Sequence, residues 1–178
     1  MLKVTLLTKE MKDEYKKLYD ANIHAMAGRS CRPNYGNTLV LLDEKGNLMS
    51  SVAFSYSIKK KQFTQLHSLT QTHLRRKGYA KLLLNAFAKI VSEIPEFKGS
   101  NTCVICCETD NVEGLKYHEN TAKYIGMHRD NYGSGRRDYA EFSQDIRVWL
   151  NYTPVSEYEI DDVVKEKFLT RVMWFKIR

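Results

Sequence analysis

The chain has 178 residues, of which 43% are hydrophobic and 28% charged, and its formal net charge at pH 7 is +7. This length suits a single domain spanning residues 1–178, and the composition excludes a disordered chain. No apolar stretch reaches the ~18 residues that would cross a bilayer, and the N-terminus lacks a secretion-signal pattern, so we expect a cytoplasmic protein without membrane association. The excess positive charge favours an anionic partner, such as a nucleotide cofactor, nucleic acid or acidic substrate.

The first part of the chain predicts a strand, a helix and three further strands. Residues 2–7 suit a strand, and apolar residues from Met11 to Met26 recur at helical spacing, which predicts a helix ending by Gly28. A turn-rich segment, 28–37, follows. The next segments alternate apolar and polar residues or are rich in strand formers, and they predict strands at 38–43, 48–58 and 62–72.

The second part of the chain predicts further helices and strands. The apolar stripe from Tyr79 to Glu93 predicts an amphipathic helix, which Pro95 ends. The remaining patterns predict a strand at 102–108, a helix at 111–125, and two strands at 145–151 and 169–177 with a helix between them. The order β-α-β-β-β-α-β-α-β-β predicts an α+β fold, with a mixed sheet and helices packed on its faces.

The four cysteines do not form a metal-binding pattern. They are Cys31, Cys103, Cys106 and Cys107, and their single CxxC has no second ligand pair at zinc spacing. His118-Glu119 also lacks the second histidine of HExxH, so no metal site is predicted. We expect reduced, structural cysteines, with a reactive thiol at Cys107 as the alternative.

The segment Arg75-Arg76-Lys77-Gly78-Tyr79-Ala80 joins a predicted strand to the amphipathic helix. A helix N-terminus has unpaired N–H groups and a partial positive charge, and a glycine there lets the backbone approach a ligand. With three adjacent cations, this pattern favours a phosphate site over a charged helix start without a ligand. Neither GxxxxGK[ST] nor GxGxxG is present, so a Walker loop and a dinucleotide fingerprint are both excluded.

This hexamer matches [RQ]-x-x-G-x-[GA] and resembles the acyl-CoA pyrophosphate loop of the GNAT N-acetyltransferase superfamily. The context is similar too: a strand precedes it, Leu82-Leu83 follow on a helix, and a later helix that opens with an asparagine closes at Gly126-Met127. Residues 173–177 also resemble the family's last strand. The resemblance covers residues 2–177, with firm motif support at 66–127. It implies a GNAT-like, mostly antiparallel central sheet with helices on both faces.

The resemblance implies acetyl-CoA as the co-substrate, without a metal. The family's strand before the loop pairs its backbone with the pantetheine arm, a role that would fall to Leu69, Thr70 and Gln71. The pyrophosphate would be held by the N–H groups of Arg76, Lys77, Gly78, Tyr79, Ala80 and Lys81. Side-chain contacts to phosphate are expected from Arg75 and Lys77, and Asn111 matches the family's asparagine near the pantetheine.

The resemblance also implies direct transfer of an acetyl group to an amine. A backbone N–H near Leu69 or Thr70 would stabilise the oxyanion, and a tyrosine after the asparagine would protonate the leaving thiolate. Counting forward from the asparagine places this acid near Tyr117 or His118, whereas counting back from the helix end places it at Ala122. We favour Tyr117 and keep Tyr124, because residues seven apart share one helical face.

The general base stays open at this point. Some family members place a glutamate on the strand before the loop, but the matching residues 63–65 offer no carboxylate. His67 lies on that strand and titrates near neutral pH, which makes it one candidate, although a structural histidine is the alternative. Glu108, acting through a water molecule, is the other candidate.

The acceptor is not defined by these motifs. In the family, the first helix, the loop after it and the last strands line the acceptor pocket. Here these loops, 28–37 and 131–142, are basic and aromatic, which argues against polycationic acceptors. They fit an anionic small molecule, an acidic peptide or protein, or a charged tRNA. An acidic cluster could line the pocket instead: Glu157, Glu159, Asp161 and Asp162.

Two other functions remain as alternatives. One is a GNAT fold that binds acyl-CoA without transferring it. The other is a basic nucleic-acid-binding module, which is less favoured because its arginines lie in separate loops: Arg29, Arg32, Arg75, Arg76, Arg136 and Arg137. A homodimer formed through exposed terminal strands is a further expectation without direct support.

Overall fold

An eight-stranded sheet runs through the computed structural model, which describes residues 1–22, 33, 35–130 and 137–173. The strand order is β6-β7-β5-β4-β3-β2-β1-β8, and only the β4–β5 and β1–β8 pairs are parallel. The predicted mixed, mostly antiparallel sheet is therefore confirmed. The strands are β1 (Leu2–Leu6), β2 (Thr38–Leu42), β3 (Leu48–Ser57), β4 (Gln62–Thr70), β5 (Thr102–Glu108), β6 (Lys123–Asp130), β7 (Arg137–Asp145) and β8 (Tyr158–Ile160).

Helices cover both faces of this sheet. They are α1 (Lys12–Asp20), α2 (Tyr79–Glu93), α3 (Val112–Thr121), α4 (Arg147–Leu150) and α5 (Asp162–Met173). Side chains alternate across a strand, so Leu39 and Leu41 pack with α2, α4 and α5, whereas Val40 and Leu42 pack with α1. In the described part of the chain, no helix is both long and apolar enough to span a membrane.

The larger core lies between the sheet and α2. Phe87 of α2 stacks on Phe54 of β3 with ring centroids 3.6 Å apart, and Trp149 and Phe168 pack around this pair. All four side chains are fully buried. The apolar stripe predicted from Tyr79 to Glu93 is therefore the side of α2 that anchors the helix and, with it, the loop that precedes it.

The chain after β7 differs from the prediction. The expected strand at 145–151 is wrong, because the chain leaves the sheet at Asp145 and turns into α4. The Asp145 carboxylate accepts a hydrogen bond from the Arg147 N–H (2.9 Å), which stabilises this turn, and Trp149 is buried against Phe54. The expected last strand at 169–177 is also wrong up to Met173, which belongs to α5; residues 174–178 lie outside the described residues.

Two predicted helix ends are also displaced. The helix expected over 111–125 ends at Thr121, because Ala122 is extended and the chain then pairs with β7 as β6. The first helix ends at Asp20, and residues 23–28, the last part of its expected length, lie outside the described residues. Cross-strand hydrogen bonding outweighs the helical spacing of apolar residues after Thr121.

Asn85 is a buried polar residue that ties α2 to the C-terminal segment. Its Nδ2 donates hydrogen bonds to the carbonyl oxygens of Trp149 (2.8 Å) and Leu150 (3.1 Å), and its Oδ1 accepts one from the Tyr158 hydroxyl (2.6 Å). The residue is 1% exposed. One side chain therefore supplies hydrogen-bond partners to two carbonyl groups at the end of α4 and to the tyrosine hydroxyl at the start of β8.

We expect Asn85→Leu to lower the free energy of unfolding by about 2–4 kcal/mol, because it leaves several buried polar groups without partners. Urea denaturation would measure this loss. Asn120→Leu is the matched control, since the Asn120 amide bonds only within α3 at the surface, and its cost should stay within about 0.5 kcal/mol. Equal effects of the two substitutions would contradict the assigned role of Asn85.

Candidate active site

The candidate site forms where two parallel strands diverge. β4 and β5 pair from Gln62 and Thr102 to Gln65 and Ile105, yet both strands continue beyond this point. At the point of divergence β4 carries a bulge, because Leu66 has no partner in the register that joins β4 to β3. The result is a wedge-shaped gap between two strands of one sheet.

A cleft of about 480 Å³ opens on one side of this gap. It extends from the gap to the first turn of α2 and is bordered by α3. The residues that line it are Gln65, Ser68, Thr70, Leu74, Arg75, Arg76, Gly78, Tyr79, Ala80, Lys81, Leu84, Ile105, Tyr117, His118, Thr121, Gln144 and Trp149. The structure thus brings most of the predicted loop residues and Tyr117 to one cavity. We call it the donor cleft.

A second, smaller pocket of about 140 Å³ lies on the other side of the gap. It is lined by Gln65, Leu66, His67, Ser68, Ile105, Cys106, Cys107, Glu108, Asn111, His118 and Tyr139. Four residues belong to both cavities: Gln65, Ser68, Ile105 and His118. The two cavities therefore meet at the divergence point, and we call the smaller one the acceptor pocket.

The backbone of β4 presents hydrogen-bonding groups to the gap. The Gln71 N–H donates to the Met49 carbonyl (3.1 Å), so Gln71 faces β3. Alternate residues of an antiparallel pair face the same neighbour, so Leu69 also faces β3, whereas Ser68 and Thr70 face the gap. Of the three residues predicted to pair with a ligand here, Thr70 directs its backbone toward the gap, whereas Leu69 and Gln71 direct theirs toward β3. Ser68 shares the orientation of Thr70, as strand alternation implies.

The loop before α2 has the conformation expected of an anion site. Arg76 and Gly78 adopt positive φ angles of 62° and 87°, and α2 begins directly after Gly78. The N–H groups of Tyr79, Ala80 and Lys81 lie in the first turn, where a helix offers no internal acceptors. These N–H groups and the positive end of the α2 dipole favour a bound anion.

Gly78 also allows a close contact with the C-terminal segment. A Cβ atom built on Gly78 would lie 2.2 Å from Cγ1 of Val155. The position thus requires glycine for two reasons, the positive φ and the space that Val155 occupies. The second reason could not be read from the loop motif, since Val155 is distant in sequence.

The two arginines of the loop already have partners. The Arg75 guanidinium donates to Asn22 Oδ1 (2.8 Å) and to the carbonyl oxygens of Ala21 (3.3 Å) and Thr70 (3.4 Å). Arg76 forms an ion pair with Glu113 on α3. Arg75 therefore ties the loop to the end of α1, and Arg76 links the loop to α3. The phosphate contact expected from Arg75 stays a prediction.

Comparisons with known proteins bear on the fold. No family model and no curated protein matches the sequence. Solved structures do match: a spermidine N-acetyltransferase chimera of Vibrio cholerae (TM-score 0.63, 15% identity), an N-acetyltransferase of Staphylococcus aureus (0.62, 19%) and the ribosomal-protein-alanine N-acetyltransferase of Escherichia coli (0.60, 13%). They cover 85%, 82% and 82% of this chain, and 99%, 99% and 94% of their own chains.

The chain has the GNAT fold. The predicted resemblance to the GNAT superfamily is thereby confirmed for the architecture. At these identities the likeness concerns the fold alone.

Within this GNAT fold, α3 places the ring side chains of Tyr117 and His118 at the donor cleft. Asn111 caps α3, its Oδ1 accepting the Gly114 N–H (3.1 Å), and it lines the acceptor pocket. Tyr117 lies beside Lys81, whose Nζ is 5.9 Å from the Tyr117 ring centroid and 5.5 Å from that of Tyr152. Burial, together with a hydrogen bond to Tyr152, raises the pKa of Tyr117 above its usual value, so its hydroxyl stays protonated.

Tyr124 lies elsewhere. It belongs to β6, is 55% exposed and packs edge-on against Phe142. The expectation that Tyr117 and Tyr124 share one helical face is therefore wrong, because α3 ends before Tyr124. Tyr124 lines neither of the two cavities.

The two candidate bases have different surroundings. His67 Nε2 is hydrogen-bonded to the Tyr15 hydroxyl (2.7 Å), and burial lowers the pKa of His67 to about 4. Glu108 is 8% exposed, lines the acceptor pocket and accepts a hydrogen bond from the Tyr139 hydroxyl (3.2 Å). The carboxylate that the strand before the loop lacks is thus supplied by the end of β5.

The cysteines of β5 are thiols. Among the described residues, no disulfide bond joins Cys103, Cys106 or Cys107, and burial raises the pKa of Cys107 to about 11, so its thiol is protonated at neutral pH. Cys31 lies outside the described residues. Among the described residues, no group of three or more His, Cys, Asp or Glu side chains could hold a metal ion.

Other predicted features lie away from the gap or outside the described residues. Asp161 binds Lys3 (3.0 Å) at the β1–β8 edge. None of the acidic cluster (Glu157, Glu159, Asp161 and Asp162) lines either cavity. Of the basic loops expected to line the acceptor pocket, 28–37 and 131–142, residues 28–32, 34 and 131–136 lie outside the described residues.

The partly buried His67 predicts a pH dependence of stability. Its pKa is about 4 in the fold and near 6.5 when unfolded, so the unfolded chain binds the proton first. The contribution of neutral His67 to the free energy of unfolding is complete above pH 6.5 and is lost as the pH falls towards 4. In His67→Gln, we expect this acid-induced loss in the free energy of unfolding to be smaller by about 2 kcal/mol.

Urea denaturation across this pH window would measure the difference. His73→Gln is the matched control, because His73 is exposed. If His67→Gln and the wild type lost stability in parallel on acidification, a neutral, partly buried His67 would be refuted.

Proposed function

We propose that the chain is an acetyl-CoA-dependent N-acetyltransferase. The observation that carries this proposal is the meeting of two cavities at the divergence of β4 and β5, with an anion-binding loop at the far end of the larger one. A reaction between two substrates requires such an arrangement, because the donor and the acceptor must approach from different sides and meet at one point.

The donor cleft suits acetyl-CoA. The N–H groups in the first turn of α2 would hold the pyrophosphate, with Lys77 and Lys81 adding positive charge. The pantetheine arm carries amide groups, which would pair with the backbone of Ser68 and Thr70 on the open edge of β4. This path leads from the loop to the junction of the cavities, where the thioester would lie.

The acceptor pocket suits an ammonium group. Glu108 supplies a carboxylate, and none of the described residues that line this pocket is a lysine or arginine. A small pocket with one carboxylate favours a primary amine on a short or linear chain. The acceptor class proposed here is therefore an alkylamine, either as a small molecule or at the end of a peptide.

The reaction forms a bond between the amine nitrogen and the acetyl carbon and breaks the carbon–sulfur bond of the thioester. The carbonyl oxygen becomes negatively charged on the way, and the Ser68 N–H at the junction would stabilise it. Tyr117, protonated at neutral pH, would donate a proton to the leaving thiolate. The amine must also lose a proton to a base near the junction.

Binding of acetyl-CoA tests the donor half of the proposal. Isothermal calorimetry on the wild type should show micromolar affinity, and Gly78→Glu should abolish it, because the new carboxylate would lie at the anion site. Lys77→Glu should weaken binding by about tenfold, through loss of one phosphate-directed charge.

Gly46→Glu is the matched control, since Gly46 also has a positive φ (85°) but faces open space in a distant turn. The control should bind acetyl-CoA as the wild type does. If the folded wild type did not bind acetyl-CoA, the transferase proposal would fail. Binding without acetyl transfer to any amine would instead favour a GNAT fold that only binds acyl-CoA.

A further inference from the structure

Two buried polar atoms lie at the junction of the cavities without hydrogen-bond partners. They are Oε1 of Gln65, on β4, and Nδ1 of His118, on α3, and neither has a partner or solvent contact within the described part of the chain. Gln65 and His118 each line both the donor cleft and the acceptor pocket. Buried polar atoms in folded proteins are almost always hydrogen-bonded, so these two atoms indicate groups that a ligand would satisfy.

The imidazole of His118 is held between two aromatic rings. Its centroid is 5.2 Å from that of Tyr117, in an edge-to-face arrangement, and 5.5 Å from that of Phe142. Burial lowers the pKa of His118 to about 4, so the ring is uncharged at neutral pH. An uncharged imidazole has one nitrogen able to accept a proton.

We propose that His118 is the catalytic base that takes the proton from the attacking amine, and that Gln65 orients this amine by accepting one of its N–H groups. This inference rests on the acetyl transfer proposed above and adds its missing base. Both residues border the junction from different elements. An amine nitrogen there would lie beside both, and a turn of each side chain would direct its unpartnered atom to the amine.

The other ionisable residues lining the acceptor pocket are less well placed. Glu108 lines the acceptor pocket but not the donor cleft, and it already accepts a hydrogen bond from Tyr139. His67 has its Nε2 bonded to Tyr15. The ionisable side chains of the two cavities that surround His118 are His67, Arg75, Arg76, Tyr79, Lys81, Cys106, Cys107, Glu108, Tyr117 and Tyr139.

The proton transfers balance. The acceptor ammonium first loses one proton to solvent, and the neutral nitrogen then attacks the acetyl carbon. The nitrogen of the tetrahedral intermediate is positively charged and far more acidic than a free alkylammonium, and it loses its second proton to His118. The carbon–sulfur bond then breaks as Tyr117 gives its proton to sulfur. The proton on His118 replaces the one lost from Tyr117, whose ring lies next to it, and the products are an N-acetylated amine and CoA.

The test measures CoA release from acetyl-CoA with a thiol reagent, using n-propylamine as the probe acceptor. The variants are His118→Gln and Gln65→Leu. Their matched controls are His73→Gln, at an exposed turn, and Gln62→Leu, at the start of β4 and outside both cavities. Calorimetry with acetyl-CoA on every variant reports the donor cleft separately.

We expect His118→Gln to lower kcat by about 100-fold, with acetyl-CoA affinity unchanged. Gln65→Leu should raise the KM for n-propylamine by about tenfold, because one hydrogen bond to the amine is lost. Both controls should turn over as the wild type does. These results together would support the proposed roles.

Other outcomes separate the two proposals. Turnover in His118→Gln within twofold of the wild type would overturn the role of His118 while leaving the transferase intact. Loss of acetyl-CoA affinity in the same variant would also overturn it, as a packing role. A wild type that binds acetyl-CoA but releases CoA no faster than the uncatalysed reaction would overturn both proposals. If His118→Gln does not fold, His118→Asn replaces it; if neither folds, Gln65→Leu decides, and an unchanged KM overturns the proposal.

Discussion

The divergence of β4 from β5 is the constraint on which the rest of this structure depends. Two parallel strands normally continue to share hydrogen bonds, and a gap between them leaves backbone groups and side chains unpaired. Here the pairing stops at Gln65 and Ile105, so both cavities meet at that point. The backbone groups of Ser68 and Thr70 on the open edge of β4 face the gap, and Glu108 at the end of β5 lines the acceptor pocket.

Keeping the gap open requires support from both faces of the sheet. On one face, Phe87 anchors α2 against β3, and Asn85 ties α2 to the segment that follows β7. The loop is braced by Arg75 and Arg76 against α1 and α3. These contacts hold the first turn of α2 at one end of the cleft while His118 lies at the other, so the anion site and the junction keep a set separation.

The C-terminal segment has more influence on the site than its position suggests. Residues after β7 fold back over the α2 face, place Tyr152 near Lys81 and Tyr117, and bring Val155 against Gly78. The helix α5 and the short β8 complete the core and the sheet edge. A segment for which the sequence suggested two terminal strands with a helix between them therefore borders the loop before α2.

Much of the fold and part of the site could be predicted from local patterns. The RRKGYA loop, the stripe of α2 and the cysteine strand all depend on residues close together in sequence, whereas the mostly antiparallel sheet was implied by the family resemblance. The sequence alone determined the glycine-bearing turn before α2 and the α+β class, because helix starts, glycine conformations and strand alternation are local properties. Only the tertiary structure decided that Tyr124 leaves α3, that Val155 meets Gly78, and that His118 and Gln65 lie together unpartnered, since burial and hydrogen-bond satisfaction depend on residues far apart in the chain.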